Sequence, residues 1–341
     1  MLKHHCIGFL LLLVGLGSFP ETGQPALQRF EFTQTHMGTR FRIVLYAPSE
    51  AIAKQASDAA FARIAELDAI MSDYKQESEL MRLCKKAGGE PVAVSDDLFD
   101  VIAKSLEISR LTDGAFDITV GPVVRLWRRA RRTAKMPDAN ELAEARKLVG
   151  FGQVQIDAKK KTVRLTTKGI LLDLGGIAKG YAAQAALEIL RRHGIQRALV
   201  AAGGDIVVGD APPEAKGWRV GIAPLEDPNA KPSRYLSLVN ASVSTSGDTE
   251  QYVVINGKRY SHIVDPKTGL GLTERMSCTV IAKDGNMADG MATALCVLGP
   301  KKGLPFIEKV EGGAALYVIG TDKGQTVQAS KRFGQYQIDT K

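Results

Sequence analysis

The segment that most limits the fold is GILLDLGGIAKGYAAQAALEIL, residues 169–190. An apolar stretch runs into Asp173, two glycines follow, and a helical pattern of small and apolar residues begins. Glycine lets the backbone turn sharply and approach a ligand closely. The first turn of the helix then offers unpaired N–H groups, a natural seat for phosphate. Residues 169–174 are expected to be the strand that feeds this helix. The spacing is GGxxxG and not the GxGxxG of a dinucleotide turn, which argues against a Rossmann site. A plain strand–helix connection would use the same glycines. Asp173 and Lys179 raise the interest of the segment, one as an acceptor and the other as a cation.

The rest of the chain mixes strands and helices without a βαβα rhythm. Residues 41–46 (FRIVLY) alternate weakly, as in a strand. Ser49 can cap a helix in which Ala56, Ala60, Ile64, Leu67 and Met71 share one face. Ser95, Asp96 and Asp97 open another helix, with Gly114 just past its end. Short apolar runs at 162–165, 197–202, 205–208 and 218–222 suggest strands, as do 251–255, 278–282 and 314–319. Helices are expected after Gly180 and Asn286. This pattern favours an α+β fold over a doubly wound sheet. Neither a repeat nor a long low-complexity linker interrupts it, so residues 26–341 parse as one integrated catalytic domain.

Residues 1–20 differ from the rest. Lys3, His4 and His5 precede the apolar run Cys6–Gly17, which is too short for a spanning helix. A secretory signal peptide is expected there, with export to the periplasm. Cys6 stands at the start of the apolar run and not after it, so a lipoprotein anchor is not expected. The mature chain would keep Cys84, Cys278 and Cys296, an odd set without disulfide or zinc spacing. Buried thiols are the simplest reading. The net charge of +8 favours anionic partners in general. The densest basic stretch, Arg125–Lys135, reads either as a solvated helix or loop, or as a patch for an anionic substrate or membrane surface. No nucleic-acid-binding motif accompanies it, and no membrane span is expected after signal removal.

Three further segments combine the right groups for a bound nucleotide. In Asn286-Met-Ala-Asp289-Gly-Met-Ala-Thr293, helical spacing puts the Asp289 carboxylate and the Thr293 hydroxyl on one face. That pair suits a hard cation such as magnesium. The same letters also read as a helix cap running from Asn286 to Asp289. In Tyr260-Ser-His262-Ile-Val-Asp265-Pro-Lys-Thr-Gly269, Asp-Pro and Thr-Gly mark a turn after a strand. His262 there is either a base or ligand contact, or a structural residue. Ser244-Thr-Ser-Gly247 offers hydroxyls for phosphate, or merely a turn. Met37-Gly38-Thr39, the stretch Met71–Tyr74 and Gly114–Thr119 each pair an apolar or aromatic residue with a polar one. That suits a flat heteroaromatic ring with hydrogen-bonding edges.

Taken together, the blocks MGTRFRI, MSDYKQESEL, GAFDITVGPVVRLW, DLGGIAKGYA, AAGGDIVV, STSGD, YSHIVDPKTG and ADGMATAL resemble the FAD:protein FMN transferases, the ApbE-like flavin transferases. They run in order from Met37 to about Leu298. The resemblance implies an exported α+β enzyme that binds FAD and magnesium. It implies transfer of FMN to a threonine or serine of a partner protein, with release of AMP. The expected partner is an exported respiratory flavoprotein subunit. By the same resemblance, Asp289 and Thr293 would be metal ligands with the backbone carbonyl of Gly176. Met37, Tyr74, Ala115, Phe116, Asp117, Asp173, Lys179 and His262 would line the FAD site. Peripheral association with the inner membrane remains open on this reading.

The chemistry expected is attack of the acceptor hydroxyl on the FMN-side phosphorus. His262 and Asp289 are the candidate bases, and His262 is preferred, because a cation lowers the basicity of a carboxylate that binds it. A hydrolase giving free FMN and AMP would use the same residues. A non-catalytic FAD-binding protein would have no need of a metal at the scissile bond.

Overall fold

The computed structural model describes residues 26–226, 230–247 and 251–339. The expected signal segment lies outside the described residues. The frame is an eight-stranded sheet in which every neighbouring pair is antiparallel. Its order is β1 (Gln28–His36), β2 (Thr39–Ala47), β6 (Ala198–Ala202), β7 (Asp205–Val208), β10 (Ala241–Gly247), β13 (Met276–Ala282), β14 (Ala314–Thr321), β15 (Gly324–Ala329). An antiparallel sheet with helices on one face is α+β architecture.

The strands have two buried faces. On β2, Phe41, Ile43, Leu45 and Ala47 point into the larger core, and Val44 points into a second core behind the sheet. On β6, Ala198, Val200 and Ala202 face one way, and Leu199 and Ala201 the other. Alternation is weak in the letters because both faces are apolar. Helices α1 (Glu50–Met71), α6 (Ala178–Arg192) and α7 (Gly285–Ile307) cover the first face. All five periodic positions of α1 named above are buried, and Ser49 caps it through the Ile52 N–H. The second face is covered by a small sheet of β8 (Trp218–Ile222), β9 (Arg234–Leu238) and β16 (Gln337–Ile338).

Between α1 and α6 the chain builds a helical arm. It holds α2 (Glu79–Lys85), α3 (Asp96–Leu111), α4 (Gly121–Thr133) and α5 (Ala139–Lys147). A three-stranded sheet of β3 (Val92–Ala93), β4 (Val154–Asp157) and β5 (Thr162–Leu165) belongs to it. Helices α4 and α5 share a third core with the hairpin β11 (Tyr252–Ile255) and β12 (Lys258–Ser261). Trp127 anchors this lobe, packing on Tyr260 and donating to the Gly269 carbonyl at 2.8 Å.

Two local expectations fail for identifiable reasons. Residues 169–174 are not a strand. Their side chains Ile170, Leu172 and Leu174 are buried, but the Leu172 N–H goes to Cys84 Sγ and the Asp173 N–H to the Ile118 carbonyl. Burial supplied the apolar letters, while no neighbouring strand supplied a ladder. Ser244–Gly247 is not a turn but the end of β10, paired with β13. The three cysteines named above are buried. Among the described residues, no helix is long and apolar enough to cross a membrane.

Candidate active site

The site forms where the first turns of α6 and α7 touch. A Cβ on Gly180 would sit 2.1 Å from the Gly285 carbonyl oxygen, and one on Gly285 would sit 2.2 Å from that of Gly180. Only glycine at both positions allows backbones so close. The contact carries the start of α7 to the start of α6.

Helix α7 is capped by Asp284, which accepts from the Met287 N–H at 2.9 Å. The expected cap from Asn286 to Asp289 is therefore not used. Asp289 instead reaches across and accepts the Gly180 N–H of α6 at 3.0 Å. Helix α6 has no side-chain cap of its own, so Asp289 acts as its cap from another element. The same Oδ2 lies 3.6 Å from Lys179 Nζ, which also lies 3.1 Å from Asp205 Oδ2 and 3.2 Å from the Gly175 carbonyl. Ser244 donates to the other oxygen of Asp205 at 2.5 Å.

Two buried carboxylates thus share one ammonium. Burial pushes the Asp289 carboxyl up to about 7, Asp205 adds to the rise, and Lys179 opposes it. Lys179 is itself held above its ordinary range, because the two carboxylates outweigh its burial. The local charge is one negative in excess, in a place where an uncompensated charge is costly.

Gly176 and Thr293 lie beside this cluster. A Cβ on Gly176 would be 3.0 Å from Thr293 Oγ1 and 3.2 Å from the ring of Phe116. Thr293 Oγ1 is also 3.4 Å from Ser246 Oγ. Gly176, Asp289 and Thr293 are therefore brought together with Lys179 and Phe116. The donors are all oxygens, and the excess negative charge would be relieved by a cation. Both features fit a hard divalent ion.

A second cluster flanks the first. Asp173 accepts from the Gly175 N–H at 2.8 Å and from Arg128 Nη2 at 2.9 Å. Arg128 also pairs with Asp73, and its guanidinium covers the Tyr74 ring at 4.4 Å. The ring is otherwise open, with 74% of the residue exposed. A flat ring with one face held by a cation and the other in solvent is a stacking platform.

Asp117 follows Phe116 and is held within its own loop. Both oxygens of Asp117 accept bonds: Oδ1 from the Thr119 N–H and hydroxyl, Oδ2 from the Phe151 N–H at 2.7 Å. Burial raises its carboxyl, against these bonds. Ala115 is buried next to Phe116. A cavity of about 520 Å³ opens there, with Gly114, Asp117, Phe151, Pro266 and Lys267 among its walls. Met37 holds a left-handed turn between β1 and β2, with φ of 49°. That turn lies next to the β6–β7 turn, where a Cβ on Gly203 would be 3.2 Å from Thr39 Oγ1.

His262 follows β12, and the expected Asp-Pro turn comes next, closed by the Gly269 N–H on the Asp265 carbonyl at 2.8 Å. His262 Nδ1 is 3.0 Å from the Gln251 carbonyl oxygen. A carbonyl can only accept, so Nδ1 donates a proton in this contact. Among the described residues no hydrogen bond joins His262 to Asp289 or Lys179.

The model of the ApbE family matches residues 37–318, most of the chain. This chain belongs to the ApbE family. An FAD:protein FMN transferase of Klebsiella pneumoniae is 33% identical over 318 residues, covering 92% of this chain and 90% of the relative. One of Haemophilus influenzae is 35% identical over 279 residues, or 79% of each chain. The solved flavin transferase ApbE of Vibrio cholerae superposes with a TM-score of 0.82 at 30% identity, over 91% of this chain and 99% of that one. The α+β architecture is therefore that of an ApbE domain.

Asp205 and Arg128 were not singled out individually in the sequence as site residues. Asp205 carried a signal: a lone charge inside the apolar run AAGGDIVV needs a buried partner. Arg128 carried none, because it sits among five other basic residues of the stretch Arg125–Lys135.

Proposed function

We propose that this ApbE-family chain is a magnesium-dependent FAD:protein FMN transferase that places FMN on a threonine or serine hydroxyl and releases AMP. The observation that carries the reading is the juxtaposition of Gly176, Asp289 and Thr293 beside Lys179 at the start of α6. A divalent cation held by the Gly176 carbonyl, Asp289 and Thr293 would neutralise the pyrophosphate and stabilise charge on the departing AMP.

The chain's own residues have the following roles on this reading. The Gly180 N–H at the start of α6 holds the Asp289 carboxylate beside Gly176 and Thr293. Lys179 holds Asp205 and Asp289 in register. Tyr74, backed by Arg128, stacks on a flat ring of FAD, with Phe116 and Met37 as apolar walls. The acceptor oxygen attacks the FMN-side phosphorus, the bridging bond to AMP breaks, and the hydroxyl proton leaves to Nε2 of His262. Asp289 is the poorer base, since its Oδ2 already accepts the Gly180 N–H and lies near Lys179.

The test is a time course of AMP, free FMN and flavinylated acceptor, with FAD, magnesium and a threonine-containing partner. AMP is expected to form in step with flavin on the acceptor, because a held hydroxyl outcompetes water by several kcal/mol, roughly 7 at the low end for ideal placement. Free FMN accounting for nearly all AMP would establish the hydrolase instead. We further propose that residues 1–20 direct export and are removed, giving a periplasmic enzyme whose acceptors are exported respiratory flavoproteins. N-terminal sequencing of the exported protein is expected to start before residue 30. An intact Met1 in a cytoplasmic fraction would reject export.

A further inference from the structure

The charge of this protein is concentrated in one place. Residues 121–147 and 252–269 hold eleven of the 45 Lys and Arg residues and four of the 37 Asp and Glu residues. Their net charge is +7, against +8 for the whole chain. These segments comprise α4, α5, the β11–β12 hairpin and the following turn, which share the third core as one lobe. The remainder of the molecule is close to neutral.

The lobe also forms one wall of the site. Arg128 leaves α4 to bind Asp73 and Asp173, and His262 follows β12. Arg125 and Arg132 stand three positions before and four after Arg128, so helical spacing puts all three on one face. Both are exposed, and neither is paired with a carboxylate among the described residues. Arg131 is partly buried beside Arg128 and makes no salt bridge among the described residues, with Asp173 only partly offsetting its surroundings. Burial and the neighbouring Arg128 hold its guanidinium below its ordinary range. A row of cations leading out of an active site, one of them desolvated and facing a like charge, is relieved by an anion arriving from solvent.

We propose that this lobe docks the acceptor protein through acidic residues close to its target hydroxyl. The inference rests on the transferase reading, which requires a protein segment to enter the site. From Arg125 to Arg132 the helix rises about 10 Å, the length of roughly three extended residues. The acidic positions therefore lie within about five residues of the acceptor threonine or serine. Tyr252 and Val254 stand exposed on β11 in the same lobe, 42% and 52% accessible, and add apolar contact for an extended segment. An anionic membrane would also meet a basic surface. It would not use the continuity of this row with the catalytic cleft, and that favours the protein segment.

The experiment uses the full mature chain with FAD and magnesium. The substrates are synthetic peptides with one central threonine, flanked by Asp and Glu, by Ser and Gly, or by Lys and Arg. Flavinylation rate and peptide binding by fluorescence anisotropy are both read. The acidic peptide is expected to have at least about a tenfold higher kcat/KM than the basic one, falling as salt rises. Arg125→Glu with Arg132→Glu is expected to abolish that preference through KM. FAD affinity and acceptor-free FMN release should not change. The paired Lys variants at both positions should keep the preference, which separates charge from local packing.

Equal rates for all three peptides in the wild type would overturn the docking inference, and so would an undiminished preference in the Glu variant. Charge-independent flavinylation together with Arg125- and Arg132-dependent binding to phosphatidylglycerol vesicles would assign the lobe to a membrane instead. If AMP appears but no peptide is ever flavinylated, the transferase reading fails. Anisotropy with the acidic peptide then still decides the docking inference by itself.

Discussion

Asp289→Ala is expected to lower flavin transfer by about 10³-fold or more, a loss of roughly 4 kcal/mol in transition-state stabilisation. The substitution removes the one charged oxygen donor of the proposed cation site and the cap of α6 at once. Asp289→Asn separates the two roles. Its amide oxygen still accepts the Gly180 N–H, so α6 keeps its cap, while the charge that attracts a cation is gone. Both variants should lose activity, and only the alanine should also lose stability, by about 1 kcal/mol. A stabilisation by magnesium in thermal melts should be present in wild type and absent from both. Wild-type transfer rates in Asp289→Ala would refute the cation assignment.

The metal-free protein should show a pH signature of the same carboxylate. Its folded pKa of about 7 lies above the ordinary Asp value near 3.9. A raised pKa means the folded state holds the proton more tightly than the unfolded chain. The stability from this group is therefore complete below pH ~4 and is lost as pH rises through 7. The melting temperature of apo wild type should fall relative to apo Asp289→Asn between pH 5 and pH 8. A constant difference over that range would show that the carboxylate is not held protonated.

The second large effect is steric. Gly180→Ala places a methyl 2.1 Å from the Gly285 carbonyl oxygen, which is backbone and cannot swing away. Helices α6 and α7 must separate, at about 2–3 kcal/mol for an overpacked contact. That should lower the melting temperature by several degrees in a chain of this size. Transfer should fall by about 100-fold even well below the melting point, since the Asp289 contact to the Gly180 N–H opens as the helices part. Gly334→Ala is the control, because a Cβ there meets nothing within 4 Å. Equal activity in Gly180→Ala would mean that the helix contact does not set the site geometry.

Much of the site could be read before the fold, and the reason is local. Asp289 and Thr293 lie one helical turn apart, and Gly175–Lys179 is a continuous turn, so spacing alone groups their atoms. What could not be read is what joins the two halves. Nothing in DLGGIAKG points to residue 289, because the link is a backbone contact between two glycines 105 positions apart. The capping motif at Asn286 misled for a related reason: a carboxylate near a helix start can serve either its own helix or another, and only packing decides. The Arg125–Lys135 run looked uniform because letters do not reveal which arginine turns inward. Strand order was equally hidden. A sheet that places β6 beside β2 and β14 beside β13 is set by long-range pairing, whereas alternation within a strand reports only its own two faces.

The cap that α7 supplies to α6 spans 109 positions of sequence. A ribosome makes the Gly175–Gly180 turn early and Asp289 and Thr293 only near the end. A nascent chain that ends between residues 205 and 289 has Lys179 and Asp205 but neither Asp289 nor Thr293. On the proposed function, the order of synthesis makes the cation site the last part of the active site to be completed.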